Sequence, residues 1–157
     1  MTNRAAMRRK EKLMNSEETI AILEKGEYGH LATVGQDGYP YSVPLNYVYS
    51  EGSIYFHSAK TGHKVDNMRL SDKASFTVVG NYQVFPERFD TEYDSVVVFG
   101  KVSEVITEEE VKKGLWLLVD KYSANHQEKG KEYIEKAWDK LSLFRLVIEE
   151  MTGKKGR

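Results

Sequence analysis

The chain contains no cysteine. Disulfides, thiolate nucleophiles, iron–sulfur clusters and cysteine zinc sites are thereby excluded, and any redox chemistry must come from a cofactor. It also lacks a run of about 18 apolar residues, so no segment reads as a membrane-spanning helix. An excess of one charge is missing too: 23 Lys and Arg stand against 24 Asp and Glu in 157 residues, a net charge of -1. That balance argues against nucleic-acid binding by bulk electrostatics. The charge is nevertheless uneven, since Arg4, Arg8, Arg9, Lys10 and Lys12 face only Glu11 in the first fourteen residues. Residues 1–14 are expected to form a flexible basic arm. No apolar run follows these charges, so the arm does not read as a secretory signal, and the expected location is the cytoplasm. Proline is scarce as well, with three in all, yet Pro40 and Pro44 fall within one predicted strand.

What is present is a steady rhythm of short elements with no repeat and no linker, which reads as one domain over 1–157. Asn15 with Glu18 forms a capping-box pattern, predicting a helix over 16–25 that ends before Gly26. Strands are predicted over 28–34, 39–49, 54–58, 74–80, 95–106 and 143–151, with hairpin turns at 35–38 (GQDG) and 50–53 (SEGS). Thr107 with Glu110 predicts a second capping box opening a helix over 107–122, and a further helix is expected over 131–140. The fold class is mainly β with peripheral helices, a six-stranded antiparallel split barrel.

The strand over 39–49 has two unlike faces. Tyr41, Val43, Leu45, Tyr47 and Tyr49 fall on one side, and Pro40, Ser42, Pro44 and Asn46 on the other. The first set suits a core. The second is small and polar, and its prolines remove backbone donors from one edge, so an ordinary neighbouring strand could not pair there fully. A flat heteroaromatic ring read by the remaining backbone groups would fit; so would an edge blunted against aggregation.

The segment SAKTGHKVDN (58–67) joins a strand to a short helix beginning near Gly62 or His63. Ser58 and Thr61 offer hydroxyl donors, Lys64 a charge, His63 a switchable donor, and the first helical turn its free N–H groups; together these are the elements of a phosphate seat. A plain solvated helix start, with Thr61 as a cap, reads equally from the residues alone. His57 and His63 have no carboxylate or third histidine at ligand spacing, so no metal site is expected. His30 and His126 read as structural.

With Pro40 and Pro44 in YPYSVPLNYVY, the turn and strand SEGSIYFHSA, the basic pair in KTGHKVDN, YDSVVVFGKVSEV (93–105) and LVIEEMTGKK (146–155), the chain resembles the FMN-binding split-barrel superfamily of pyridoxamine 5′-phosphate oxidase. Within it the chain is most similar to the nitroimidazole-resistance type of small flavoproteins. The resemblance implies FMN at a homodimer interface. By position, Tyr41, Ser42, Val43, Pro44 and Asn46 would line the isoalloxazine ring, and Phe56, His57 and Ser58 would support the ribityl side. His63 and Lys64, with Thr61, would hold the phosphate and Asn67 would steady that corner, while Ser95 would approach from the second subunit. The chain lacks the distinct C-terminal dimerisation segment of the true oxidases, so pyridoxamine phosphate is not the expected substrate.

The resulting expectation is an FMN-dependent oxidoreductase that reduces nitroaromatic compounds such as 5-nitroimidazoles, with no catalytic side chain assigned. No GxGxxG follows a strand, so a nicotinamide reductant would visit only transiently. Tyr82, Phe85, Phe89 and Tyr93, in a predicted loop, are candidates for a lid. Glu87, Asp90, Glu92 and Asp94 make that loop acidic and would repel anionic substrates. The alternatives are a haem-binding or haem-degrading split barrel using His57 or His63, and a non-catalytic flavin-binding module.

Overall fold

The structure, a computed structural model, describes residues 4–156, so residues 1–3 of the predicted arm lie outside the described residues. Helix α1 (Ser16–Lys25) starts as its local sequence dictates: Glu18 N–H donates to Asn15 Oδ1 at 2.8 Å and Asn15 N–H to Glu18 Oε1 at 3.4 Å. It ends at Gly26, where a Cβ would lie 2.3 Å from the Tyr47 hydroxyl, so only glycine lets the chain pass this close. The remaining elements are β1 (Gly29–Val34), β2 (Pro40–Leu45), β3 (Val48–Ser50), β4 (Ser53–Ala59), α2 (His63–Leu70), β5 (Lys73–Phe85), β6 (Asp90–Glu104), α3 (Glu108–Tyr122), α4 (Gln127–Ala137) and β7 (Leu141–Lys155). One antiparallel sheet runs in the order β2-β1-β5-β6-β7-β4-β3.

Seven strands rather than six form this sheet, and hydrogen bonding does not close it. The difference arises in the predicted strand over 39–49, which breaks after Leu45 and resumes at Val48. At the break, Tyr47 N–H donates to the Tyr122 hydroxyl at 3.0 Å, and the Tyr47 carbonyl accepts from Lys121 Nζ at 2.9 Å. Both backbone groups that a continuous strand would offer a neighbour are thus taken by side chains of α3. Residues 45 and 48 can be at most roughly 11 Å apart along the chain. The outermost strands of the sheet therefore meet at this point, and the sheet curls into a barrel split between β2 and β3.

Three further expectations are corrected. The predicted loop over 81–94 is a hairpin: β5 and β6 continue outward with Tyr82 opposite Tyr93 and Phe85 opposite Asp90, after a register shift between Val79 and Tyr82. Its β-favouring Tyr, Val and Thr residues sustain the ladder, so the aromatic residues proposed as a lid sit on strands, apart from Phe89 at the tip. The capping box at Thr107 does not form, because the Glu110 carboxylate accepts from Arg145 at 3.0 Å. Helix α4 begins at Gln127, four residues before the predicted start.

The barrel interior is apolar, with Leu31, Phe56, Phe76, Val78, Val96, Val98 and Leu146 fully enclosed or nearly so. Burial of each such side chain contributes about 1.5–3 kcal/mol. A second apolar cluster outside the barrel holds α3 and α4 through Leu115, Leu118 and Ile134 against Val48, Tyr55 and Leu143. The N-terminal segment is held at two places: Met14 N–H donates to the Gly153 carbonyl at 2.8 Å, and the Arg4 guanidinium lies 4.2 Å over the Phe99 ring and 3.5 Å from Glu150. No helix among the described residues is long and apolar enough to cross a membrane.

Candidate functional site

Strand β2 is an edge strand that pairs with β1 alone, setting Pro40, Ser42 and Pro44 opposite Val34, Ala32 and His30. Its faces alternate as the sequence requires: Pro40, Ser42 and Pro44 are exposed, Tyr41, Val43 and Leu45 half-buried. Prolines are tolerated in a sheet only where no ladder donor is needed, so the N–H groups of this parity point away from β1. The free edge consequently carries one donor, Ser42 N–H, between two residues that offer carbonyls only. Ser42 also begins an outward row of small residues that continues through Ala32 and Ser75.

A second free edge belongs to β4. Strand β3 covers only residues 53–55 of it, so 56–59 pair with β7 on one side and, among the described residues, with no strand on the other. The Phe56 ring is fully buried, stacked on Phe144 with centroids 5.6 Å apart, so only its backbone faces that edge. Ser58 is buried and donates to the Ala59 carbonyl at 2.6 Å. His57 keeps part of its ring open to solvent while its neighbours cover the rest; that partial desolvation first, and the Lys64 charge second, hold its pKa below the ordinary imidazole value.

Helix α2 starts beside both edges. Gly62 holds φ +146, a conformation that side chains rarely adopt, and no side chain caps the helix. Thr61 is exposed and supplies no cap, so the first-turn N–H groups stay open to a ligand. His63 stacks on Tyr41 with ring centroids 3.9 Å apart at 26°, bringing the helix start to the β2 edge. Lys64 is half-buried one residue on. Asn67 is buried and donates to Thr33 Oγ1 at 3.1 Å, which fastens α2 to β1.

Two predicted residues lie away from this corner. Asn46 donates its side-chain N–H to the Glu27 carbonyl at 2.9 Å. Ser95 stands on the outward face of β6, three strand spacings or roughly 14 Å from β2. Within one chain it does not reach the β2 edge.

Helices α3 and α4 also border the site, although their sequences read as core packing. Lys121 Nζ donates to the Gly26 and Tyr47 carbonyls and sits 3.9 Å over the Tyr47 ring, while the Tyr122 hydroxyl lies 2.6 Å from the Glu27 carbonyl and 2.7 Å from that of Tyr47. Burial pushes the Lys121 pKa down to about 8, with Glu27 opposing, and burial raises that of Tyr47. These two residues fix the break that ends β2. Beyond them a cleft of about 370 Å³ opens between β4 and the helix pair, reached by Asn46 and His57 and rimmed by His126 and Lys129. The only sequence signal was the amphipathic spacing of α3, which reads as core. Among the described residues, no three His, Cys, Asp or Glu side chains converge as metal ligands do.

The geometry has counterparts in known proteins. A candidate 5-nitroimidazole antibiotic resistance protein of Bacteroides thetaiotaomicron has a solved structure similar to this one, at TM-score 0.79 and 19% identity over 91% of this chain and 86% of that one. The FAD and heme binding protein of Mycobacterium smegmatis matches at TM-score 0.76 and 16% identity, over 93% of this chain and 74% of that one. At these identities the likeness establishes the fold. In sequence, the uncharacterised protein RA0666 of Rhizobium meliloti (strain 1021) is 31% identical over 94 residues, 60% of this chain and 57% of the relative, so the chain spans little more than half of that relative's length. The profile of one family matches residues 15–155, from the cap of α1 to the last residue of β7, and on that match the chain belongs to the pyridoxamine 5′-phosphate oxidase family.

Proposed function

We propose that this protein is an FMN-dependent oxidoreductase acting on nitroaromatic compounds, working as a homodimer. The observation that carries the reading is the meeting of the uncapped α2 start with the free β2 edge through Tyr41 and His63. The donor set fits the cofactor: Lys64, His63 and first-turn N–H groups suit a phosphate, and the Ser42 N–H with flanking carbonyls suits the hydrogen-bonding rim of a flavin ring. Main-chain groups of 56–59 would support the chain between ring and phosphate. FMN, when bound, supplies acceptance and return of hydride. The protein's share is to orient the ring and leave one face open.

The flavin class draws support from the Mycobacterium smegmatis protein, and the nitroaromatic class from the Bacteroides thetaiotaomicron protein, through their names. Dimerisation draws support from the outward face of β1, β5 and β6. It is concave, about 670 Å³ in volume, lined by Ala32, Val34, Ser75 and Phe99, and Ser95 stands on the same face. A second chain on that face would supply Ser95 to its partner's site.

Absorbance of freshly purified, untreated protein tests the reading. Flavin bands with one FMN released per chain, and oxidation of reduced nicotinamide on adding a nitroaromatic, are expected. A Soret band would instead favour haem, and a colourless protein that takes up no FMN would overturn the proposal.

A further inference from the structure

The cleft between β4 and the α3, α4 pair has a chemistry of its own. Its floor is aliphatic, formed by Leu115, Leu118, Val119 and Ile134, which suits the face of a planar ring. Its rim carries His57, His126 and Lys129, and among the described residues no carboxylate lines it. Gly130 lies against Val119, where even a Cβ would come within 2.7 Å, so α4 sits close on α3 and the cleft narrows between them. A volume of about 370 Å³ falls at the small end of the roughly 300–1,000 Å³ typical of ligand sites. His57, on the free edge of β4, also lines the cleft, so the cleft opens toward the edge along which the proposed flavin would run.

We infer that this cleft seats the organic substrate and selects a planar aromatic compound bearing an anionic group, its ring on the aliphatic floor and its charge at Lys129 and His126. This reverses the expectation drawn from the acidic residues of the 81–94 segment. Those residues stand on the projecting hairpin, where Glu92 is paired with Arg88 at 3.6 Å and Asp94 is buried, and none of them lines the cleft. His57 enters as a neutral hydrogen-bonding group at neutral pH, since burial and Lys64 oppose its charging. Lys129 therefore supplies the lasting charge of the rim. The inference rests on the flavin reading for its catalytic consequence, and on the cleft alone for binding.

The test is a calorimetric titration of the purified protein, at its native flavin content, with 4-nitrobenzoate and with neutral 4-nitrobenzyl alcohol. The benzoate is expected to bind about three- to tenfold more tightly, the range for a partly exposed charge-assisted contact. Lys129→Glu should erase or invert that order, and Lys129→Met should remove it. Lys112→Glu, on α3 outside this cleft, should retain it. Equal binding of the two probes by the unaltered protein, or an order that survives both Lys129 substitutions in folded protein, overturns the inference. Flavin absorbance of the same samples separates the two readings: a colourless protein that still prefers the benzoate keeps the cleft and loses the oxidoreductase, whereas a yellow protein without preference does the reverse.

Discussion

Tyr41 lies face to face with His63, ring centroids 3.9 Å apart, so the edge strand β2 is joined to the start of α2 by a direct ring contact. A stacked aromatic pair contributes about 0.5–1.5 kcal/mol beyond its burial. In a double-mutant cycle, Tyr41→Leu and His63→Leu should show a coupling of about 0.5–1 kcal/mol in urea unfolding. Strict additivity would mean that the contact holds nothing together.

Lys64→Ala is expected to weaken FMN binding by about 1.5–3 kcal/mol, the worth of a charge-assisted contact to phosphate, while riboflavin binding changes far less. Fluorescence titration of the apoprotein with both ligands measures the difference. Equal losses would place Lys64 away from the phosphate.

Ser42→Leu tests the β2 edge by sterics. Ser42 is exposed, and Val43 and Leu45 carry the core contacts of β2, so the variant should fold cooperatively yet purify colourless. Added FMN should raise the melting temperature of the parent and leave that of the variant unchanged. A yellow, FMN-stabilised variant would remove β2 from the site.

Stability should rise with pH and then fall. Lys121, with its pKa depressed to about 8 in the fold, binds fewer protons there than in the unfolded chain between about pH 8 and 10.5, so unfolding becomes harder across that window. Tyr47 is shifted the other way: its raised pKa keeps the proton in the fold after the unfolded chain has lost it, and stability drops above about pH 10. The Lys121 contribution is on the order of 1–2 kcal/mol after solvent screening. Urea midpoints from pH 7 to 11 should trace the rise, and Lys121→Met should flatten it. A parent curve flat between pH 8 and 10 would contradict the burial of this ammonium.

Analytical ultracentrifugation should find a dimer, and Ala32→Arg, on the concave outward face, should yield monomers with weakened FMN binding. Monomers of the parent that retain FMN tightly would contradict a shared site.

Much of the architecture was legible because its causes are local. Asn15 and Glu18 cap α1 across three residues, and the alternation of Pro40, Ser42 and Pro44 with Tyr41 and Val43 survives in the burial of β2. Gly62 and His63 likewise announce the start of α2. The break at Asn46 and Tyr47 was not legible, because the Tyr122 hydroxyl that enforces it comes from 75 residues away. The capping box at Thr107 was lost for the same reason: the Glu110 carboxylate that would close it is claimed by Arg145 on β7. The cleft was hidden because β4 supplies one wall and α3 and α4 the others, and each stretch alone reads as ordinary core.

The split between β2 and β3 has a kinetic side. Hairpins β1–β2 and β3–β4 join near neighbours in sequence, but β4 gains its other partner only from β7, about ninety residues further along the chain. Such long-range pairing pays its loop-closure entropy late and slows folding. Until β7 arrives, the half-built sheet exposes strand edges to other nascent chains. Pro40 and Pro44 then have a task on the way to the native state as well as in it: they deny donors to any strand arriving at the β2 edge, and so keep unfinished molecules from zipping together.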